Sequence, residues 1–99
     1  MLQIQKTVKD GEADFILKGE MDTTSAPALQ EALEPVLPGL HLLTLDLGGV
    51  NYLSSACLRL LLASSKIMKK QGRMRLTNVQ DNVMQVLDVT GFSKIMDIE

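Results

Sequence analysis

The sequence predicts an α/β domain: a mixed sheet of four or five strands with helices packed over it, in the order β-β-α-β-α-β-α-β. Three observations lead there. Turn signals fall at short intervals along the 99 residues, with no linker, repeat or low-complexity stretch between them. Hydrophobic spacing switches back and forth between a period of two and a helical period. The run from Leu40 to Leu47 carries Leu at five of its eight positions, as a central strand covered on both faces does. Parallel neighbours must then be joined by right-handed crossovers, which carry the helices over the sheet. A chain of this length builds one domain, residues 1–99.

Leu2, Ile4 and Val8 alternate with Gln3, Gln5 and Thr7, the period of a strand. Asp10-Gly11 follows, the pair a type I′ hairpin turn selects because both central residues need positive φ. The returning strand sets Ala13, Phe15 and Leu17 on one face and Ile16 on the other, and Gly19 is expected to end it. Residues Glu20 to Ser25 form a polar loop rich in N-cap residues, and Pro27 sits where a first helical turn tolerates it. Leu29, Ala32, Leu33 and Val36 make the stripe of a first helix, which Pro35 must kink or shorten.

Pro38-Gly39 breaks the chain before the leucine-rich strand, and Gly48 to Leu53 is expected to be a loop. Ser54-Ser55 is the strongest helix-start signal, opening a helix from Ala56 to Gln71. That helix is apolar in its first half and basic at its end, where Lys66, Lys69 and Lys70 match the macrodipole. Gly72 caps it, and Arg73 to Thr77 is a short strand. Asn78 starts a third helix, with Val79, Val83, Val86 and Leu87 at core spacing and Gly91 just past its end. Lys94 to Ile98 can form a last strand.

Composition narrows the function. Ten basic residues against 12 acidic ones give a net charge of −2, which argues against binding a phosphate backbone. Phe15, Tyr52 and Phe92 are the only aromatics, too few for a platform on which single-stranded bases stack. No signal peptide is read at the N-terminus, and no apolar run approaches the ~18 residues that span a bilayer. No membrane insertion is expected, and the domain is read as cytoplasmic. His41 is the one histidine and Cys57 the one cysteine. With no HExxH, CxxC, P-loop or GxGxxG spacing, no cofactor or metal is expected and an enzyme is not. His41 beside Leu40, Leu42 and Leu43 reads as a strand-edge residue.

The informative segment runs from Asp46 to Arg59: strand, tight turn, then a serine pair opening a helix. The first N–H groups of a helix lack internal partners and carry a partial positive charge. Ser54 or Ser55 therefore suits an N-cap, and a phosphate attached there would be well received. Ser54 is the expected cap of the two, its hydroxyl taken by a backbone N–H, which leaves Ser55 freer in the first turn. Cys57 has two readings, a redox-active thiol in a first helical turn or a small apolar filler beside Leu58.

At this point the chain resembles the STAS family, in particular its stand-alone anti-sigma factor antagonists. Gly19-Glu20-Met21-Asp22, followed by Thr23-Thr24-Ser25-Ala26, is similar to the family's Gly-Glu/Asp-Leu/Ile-Asp motif before its first helix. Asp46-Leu47 through Leu62 resembles its Asp-Leu-x-x-Val-x-Phe/Tyr-Ile/Leu-Asp/Ser-Ser-Ser/Ala-Gly-Leu stretch, and Thr90-Gly91-Phe92-Ser93-Lys94-Ile95 its C-terminal signature. The resemblance covers about residues 2 to 98. Two departures stand out: Ser54 where Asp is frequent, and Cys57 where the family has Gly. A thiol there adds bulk, with the consequence of restricting which kinase docks or of losing the modification.

The resemblance implies a binding module and not an enzyme. Ser55 is the position the family phosphorylates, and Asp22, Thr23, Thr24, Ser54, Ser55 and Arg59 are expected to form a shallow partner surface. The implied partners are an anti-sigma factor that is a serine kinase of the GHKL type and a cognate phosphatase, with the protein itself a monomer or weak dimer. The alternative implied is an accessory subunit of an ABC-type lipid-transport complex, since short STAS proteins serve there too.

Overall fold

In the computed structural model, which describes residues 1–99, the chain forms β1 (Gln3–Lys9), β2 (Glu12–Met21), α1 (Ala26–Leu33), β3 (Leu42–Leu53), α2 (Ser55–Gln71), β4 (Arg73–Thr77), α3 (Asp81–Thr90), a 3-10 turn at Phe92–Lys94 and β5 (Asp97–Ile98). The strands lie side by side in chain order, β1 antiparallel to β2 and every later pair parallel. The mixed sheet therefore has five strands, in the expected succession. Asp10 and Gly11 have φ of 54° and 78°, the two positive angles of a type I′ turn, and Lys9 pairs with Glu12 across it.

Each parallel strand is added on the same side of the one before it. Right-handed crossovers then put α1, α2 and α3 over a single face. There Ala13, Phe15 and Leu17 of β2, Leu43, Leu45 and Leu47 of β3, and Leu76 of β4 meet Leu29 and Leu33 of α1, Leu61 and Met68 of α2, and Val83 and Leu87 of α3, all buried. The opposite face is open: Asp14, Ile16 and Lys18 of β2 and Arg73 of β4 are exposed. This corrects the expectation that the leucine-rich strand is covered on both faces. Thr44 is nonetheless buried on the open side, because Arg75 of the neighbouring strand lies against it and donates from Nε to Thr44 Oγ1 at 2.8 Å. The stem of Arg75 covers Thr44 as a packed helix would in a doubly covered sheet.

Two strands run past the residues expected to stop them. β2 continues through Gly19 to Met21, and β3 continues through Gly48 and Gly49 to Leu53, so the expected loop is strand. The two pair to the end, Met21 beside Leu53, through register shifts between Ile16 and Lys18 and between Gly19 and Glu20. The glycines permit this irregular pairing instead of ending it. A Cβ on Gly49 would come within 2.7 Å of Lys18 Cγ, and Gly19, at φ 114°, leaves no room for one against the Met1 carbonyl oxygen.

Smaller differences have equally local causes. Asn78 does not start α3; it is a left-handed turn residue with φ 56°, a conformation Asn tolerates, and the helix begins at Asp81. Lys94 belongs to the 3-10 turn, leaving two residues for β5. Val8 lies on the edge strand and is half exposed. α1 stops at Leu33, ahead of Pro35, and Gly91 closes α3 in the left-handed conformation. Gly72 follows α2 with an extended φ of 172°; its requirement is space, since a Cβ would collide with the His41 carbonyl oxygen. His41 itself is exposed at the start of β3, its Nε2 3.8 Å from Glu12. No helix is long and apolar enough to cross a membrane.

Candidate functional site

β2 and β3 end together, so the segments that leave them begin side by side. The Ser54 N–H donates to the Met21 carbonyl oxygen at 2.8 Å, fixing the start of α2 against the end of β2. From there the chain after β2 folds into a tight reciprocal turn. Asp22 Oδ1 accepts from the Ser25 N–H at 2.9 Å, and Ser25 Oγ accepts from the Asp22 N–H at 2.9 Å. This is the logic of a capping box, two backbone donors satisfied by each other's side chains. Thr24 Oγ1 also donates to Asp22 Oδ1, at 2.8 Å. The Thr24 hydroxyl first, and then the Ser25 N–H, hold the Asp22 carboxyl below its ordinary range.

The serine pair resolves into two roles. Ser54, with extended angles of φ −85° and ψ 164°, is the N-cap of α2, and its Oγ accepts from the Cys57 N–H at 3.3 Å. Ser55 is the first helical residue and is exposed. No acidic side chain occupies the first turn of α2, so its partial positive charge is uncompensated there. Of the residues expected to form a surface, Ser54 is buried at 7% exposure and supports the others from beneath.

Cys57 is completely buried and its Sγ donates to the Asp22 carbonyl oxygen at 3.4 Å. The thiol is directed into the core and not toward a partner, which corrects the expectation that its bulk stands in the way at the first helical turn. Burial pushes its pKa up, with the neighbouring Ser54 hydroxyl offsetting only part of the effect. A thiol raised in this way is a packing group and not a ready nucleophile, so the filler reading holds.

Around this tied junction Thr23, Thr24, Ser55 and Arg59 are exposed and Asp22 is partly so. Arg59 lies one turn beyond Ser55 and makes no ion pair within the chain. Hydrogen bonds join Asp22 to Thr24, Ser25 and Cys57; the side chains of Thr23, Ser55 and Arg59 make none. The nearest recess, lined by Met1, Leu2, Thr24, Ser25 and Ala28, includes neither Ser55 nor Arg59. No group of three or more His, Cys, Asp or Glu side chains is placed to hold a metal. The chemistry on offer is therefore that of a surface with a free hydroxyl at a helix start.

Two contributors escape a sequence reading. Ser25 anchors the loop, and the Asp-x-x-Ser spacing was its signal. Tyr52 is 53% exposed at the end of β3, paired in register with Glu20; it stands at the Phe/Tyr place of the motif, but with Gly48 to Leu53 taken for a loop nothing assigns it to the surface. α3 steadies the same region: Gln80 Nε2 donates to the Gly48 carbonyl oxygen at 2.7 Å, and Asn82 Nδ2 to that of Asn51.

Comparison with known proteins adds to this geometry. The family model described as "Mlab, STAS domain" matches residues 5–97. The anti-sigma-B factor antagonist of Bacillus subtilis (strain 168) is 34% identical over 100 residues, spanning 98% of this chain and 92% of that protein. An anti-sigma factor antagonist from Mycobacterium paratuberculosis has the same fold, with a TM-score of 0.89 at 24% identity over 99% of this chain and 85% of its own. So does the Bacillus cell fate determinant SpoIIAA in its phosphorylated form, with a TM-score of 0.75 at 16% identity over 100% of this chain and 91% of its own.

Proposed function

This chain belongs to the STAS domain family, and from that premise we propose that it is an anti-sigma factor antagonist switched by phosphorylation of Ser55. In this reading residues 1–99 act as one cytoplasmic domain. It binds an anti-sigma factor that is a serine kinase of the GHKL type while Ser55 is unmodified, lets go once Ser55 is phosphorylated, and is reset by a phosphatase. The protein is a binding module and not an enzyme.

The observation that carries this reading is the division of labour between the two serines. Ser54 spends its hydroxyl on the Cys57 N–H, whereas Ser55 stands exposed at the first position of α2. Ser64 is buried in the middle of the same helix and Ser65 half-buried beside it, where a kinase has no extended backbone to grip. A phosphoryl group adds about −1.5 to −2 charges at pH 7. At Ser55 it meets the bare positive end of α2, so the domain accepts it without refolding. A partner pressed on Thr23, Thr24 and Arg59 must instead desolvate or repel that charge, and affinity falls.

Calorimetry of wild type and Ser55→Asp against the kinase recovered by pull-down tests the proposal. The variant is expected to fold, since an acid in a first helical turn is favourable by ~0.3–1 kcal/mol. It is expected to lose ~2–5 kcal/mol of binding, as a mispaired charge at a close contact does. Equal affinities with both proteins folded would reduce Ser55 to a helix-start residue. Recovery of an ABC-type ATPase in place of a kinase would replace the reading altogether.

A further inference from the structure

α1 and α2 lie side by side over the sheet, and between their outward sides runs an apolar groove of about 120 Å³ lined chiefly by Leu33, Leu37, Leu60, Ala63 and Ile67. Ile67 is 43% exposed at its lip. The two shoulders of the groove carry opposite charge. On the α1 side Glu34 lines the groove, and Glu31, three residues earlier, stands beside it on the helix surface. Lys66 and Lys70 occupy that of α2, one helical turn from Ala63 and Ile67 on the side away from α1. All four are exposed, and none takes part in an ion pair within the chain. Glu34 has only the Gln30 amide, at 2.7 Å.

A groove with one acidic and one basic shoulder is complementary to itself. A two-fold axis running along it sets the acidic shoulder of one copy on the basic shoulder of the other, and does so twice, as an isologous contact requires. The same operation lays each Ile67 over the opposite groove, whose volume suits one small apolar group. We propose that this groove is an interface with a second copy of the chain. Ser55 is not among its lining residues.

Sedimentation equilibrium across a concentration series tests it, with circular dichroism to show that each variant is folded. The wild type is expected to self-associate, more weakly at high salt, and Ile67→Glu to weaken association by roughly tenfold or more. Two shoulder reversals, Glu31→Lys with Glu34→Lys and Lys66→Glu with Lys70→Glu, are each expected to be monomeric alone. Mixed together they are expected to associate one to one, because every contact is again between opposite charges. A wild type that stays monomeric at about 1 mM overturns the proposal. So does self-association that none of the variants changes, or reversals that fail to rescue each other. If Ile67→Glu instead abolishes binding of the kinase while the wild type never self-associates, the groove belongs to that partner and not to a second copy.

Discussion

The Cys57 thiol donates to the carbonyl oxygen of Asp22, 35 residues away in sequence, at 3.4 Å. That contact, with the Ser54 N–H on Met21, makes one unit of two segments that the sequence presents separately: the loop after β2 and the first turn of α2.

A thiol in that position is expected to be slow to react. With Cys57 fully buried and its pKa raised by burial, a disulfide-exchange reagent should modify the native protein only as fast as the junction opens, and should react at once in denaturant. Prompt, stoichiometric labelling of the native protein would contradict the packing described here.

Truncating the two serines separates cap from surface. Ser54→Ala removes the acceptor of the Cys57 N–H and is expected to cost ~0.5–2 kcal/mol in urea unfolding. Ser55→Ala removes an exposed hydroxyl and is expected to stay within about 0.5 kcal/mol of wild type. Equal losses would mean that the capping role is shared.

Asp22 makes stability depend on pH with a definite sign. Its carboxyl is held below its ordinary range in the folded chain, so the folded state favours the ionised form. The resulting stabilisation is complete above the unfolded value of about 3.9 and disappears as pH falls through the lower folded value. The advantage of wild type over Asp22→Asn is therefore expected to be constant near about pH 6 and to shrink below about pH 4. Urea midpoints at a series of pH values measure it, and a difference that grows on acidification would reverse the assignment.

Gly72→Ala tests a steric requirement. The residue has an extended φ of 172°, which any side chain adopts, yet its Cβ position is taken by the His41 backbone. Overpacking of this kind is expected to cost ~1–3 kcal/mol or more. A variant as stable as wild type in thermal unfolding would show that β3 and the end of α2 have slack between them.

The fold was legible where a local signal coincided with a tertiary one. Asp10-Gly11 specified both its turn and the pairing of Lys9 with Glu12. Arg73 to Thr77 was bounded by Gly72 and Asn78, and the strand has those limits. Gly19, Gly48 and Gly49 misled because glycine has two uses, ending a strand or letting an irregular one pass close to its neighbour. Only the partner, here Lys18 or Met1, decides between them. In the site, the pattern placed Asp22 and Ser55 near helix starts and favoured Ser54 over Ser55 as the cap, which the Cys57 N–H on Ser54 Oγ bears out. The direction of Cys57 was hidden, since the first turn of a helix has an inner and an outer side and the residue name does not choose.

The sheet clothed on one side has a consequence for how the chain can vary. Along β2, Ala13, Phe15 and Leu17 are buried while Asp14, Ile16 and Lys18 are exposed, so neighbouring codons specify residues under very different constraint. A saturation library through this strand would show intolerance and permissiveness alternating at every step. The permissive stripe offers attachment points for a fluorophore or spin label, on the side of the molecule that carries no helix.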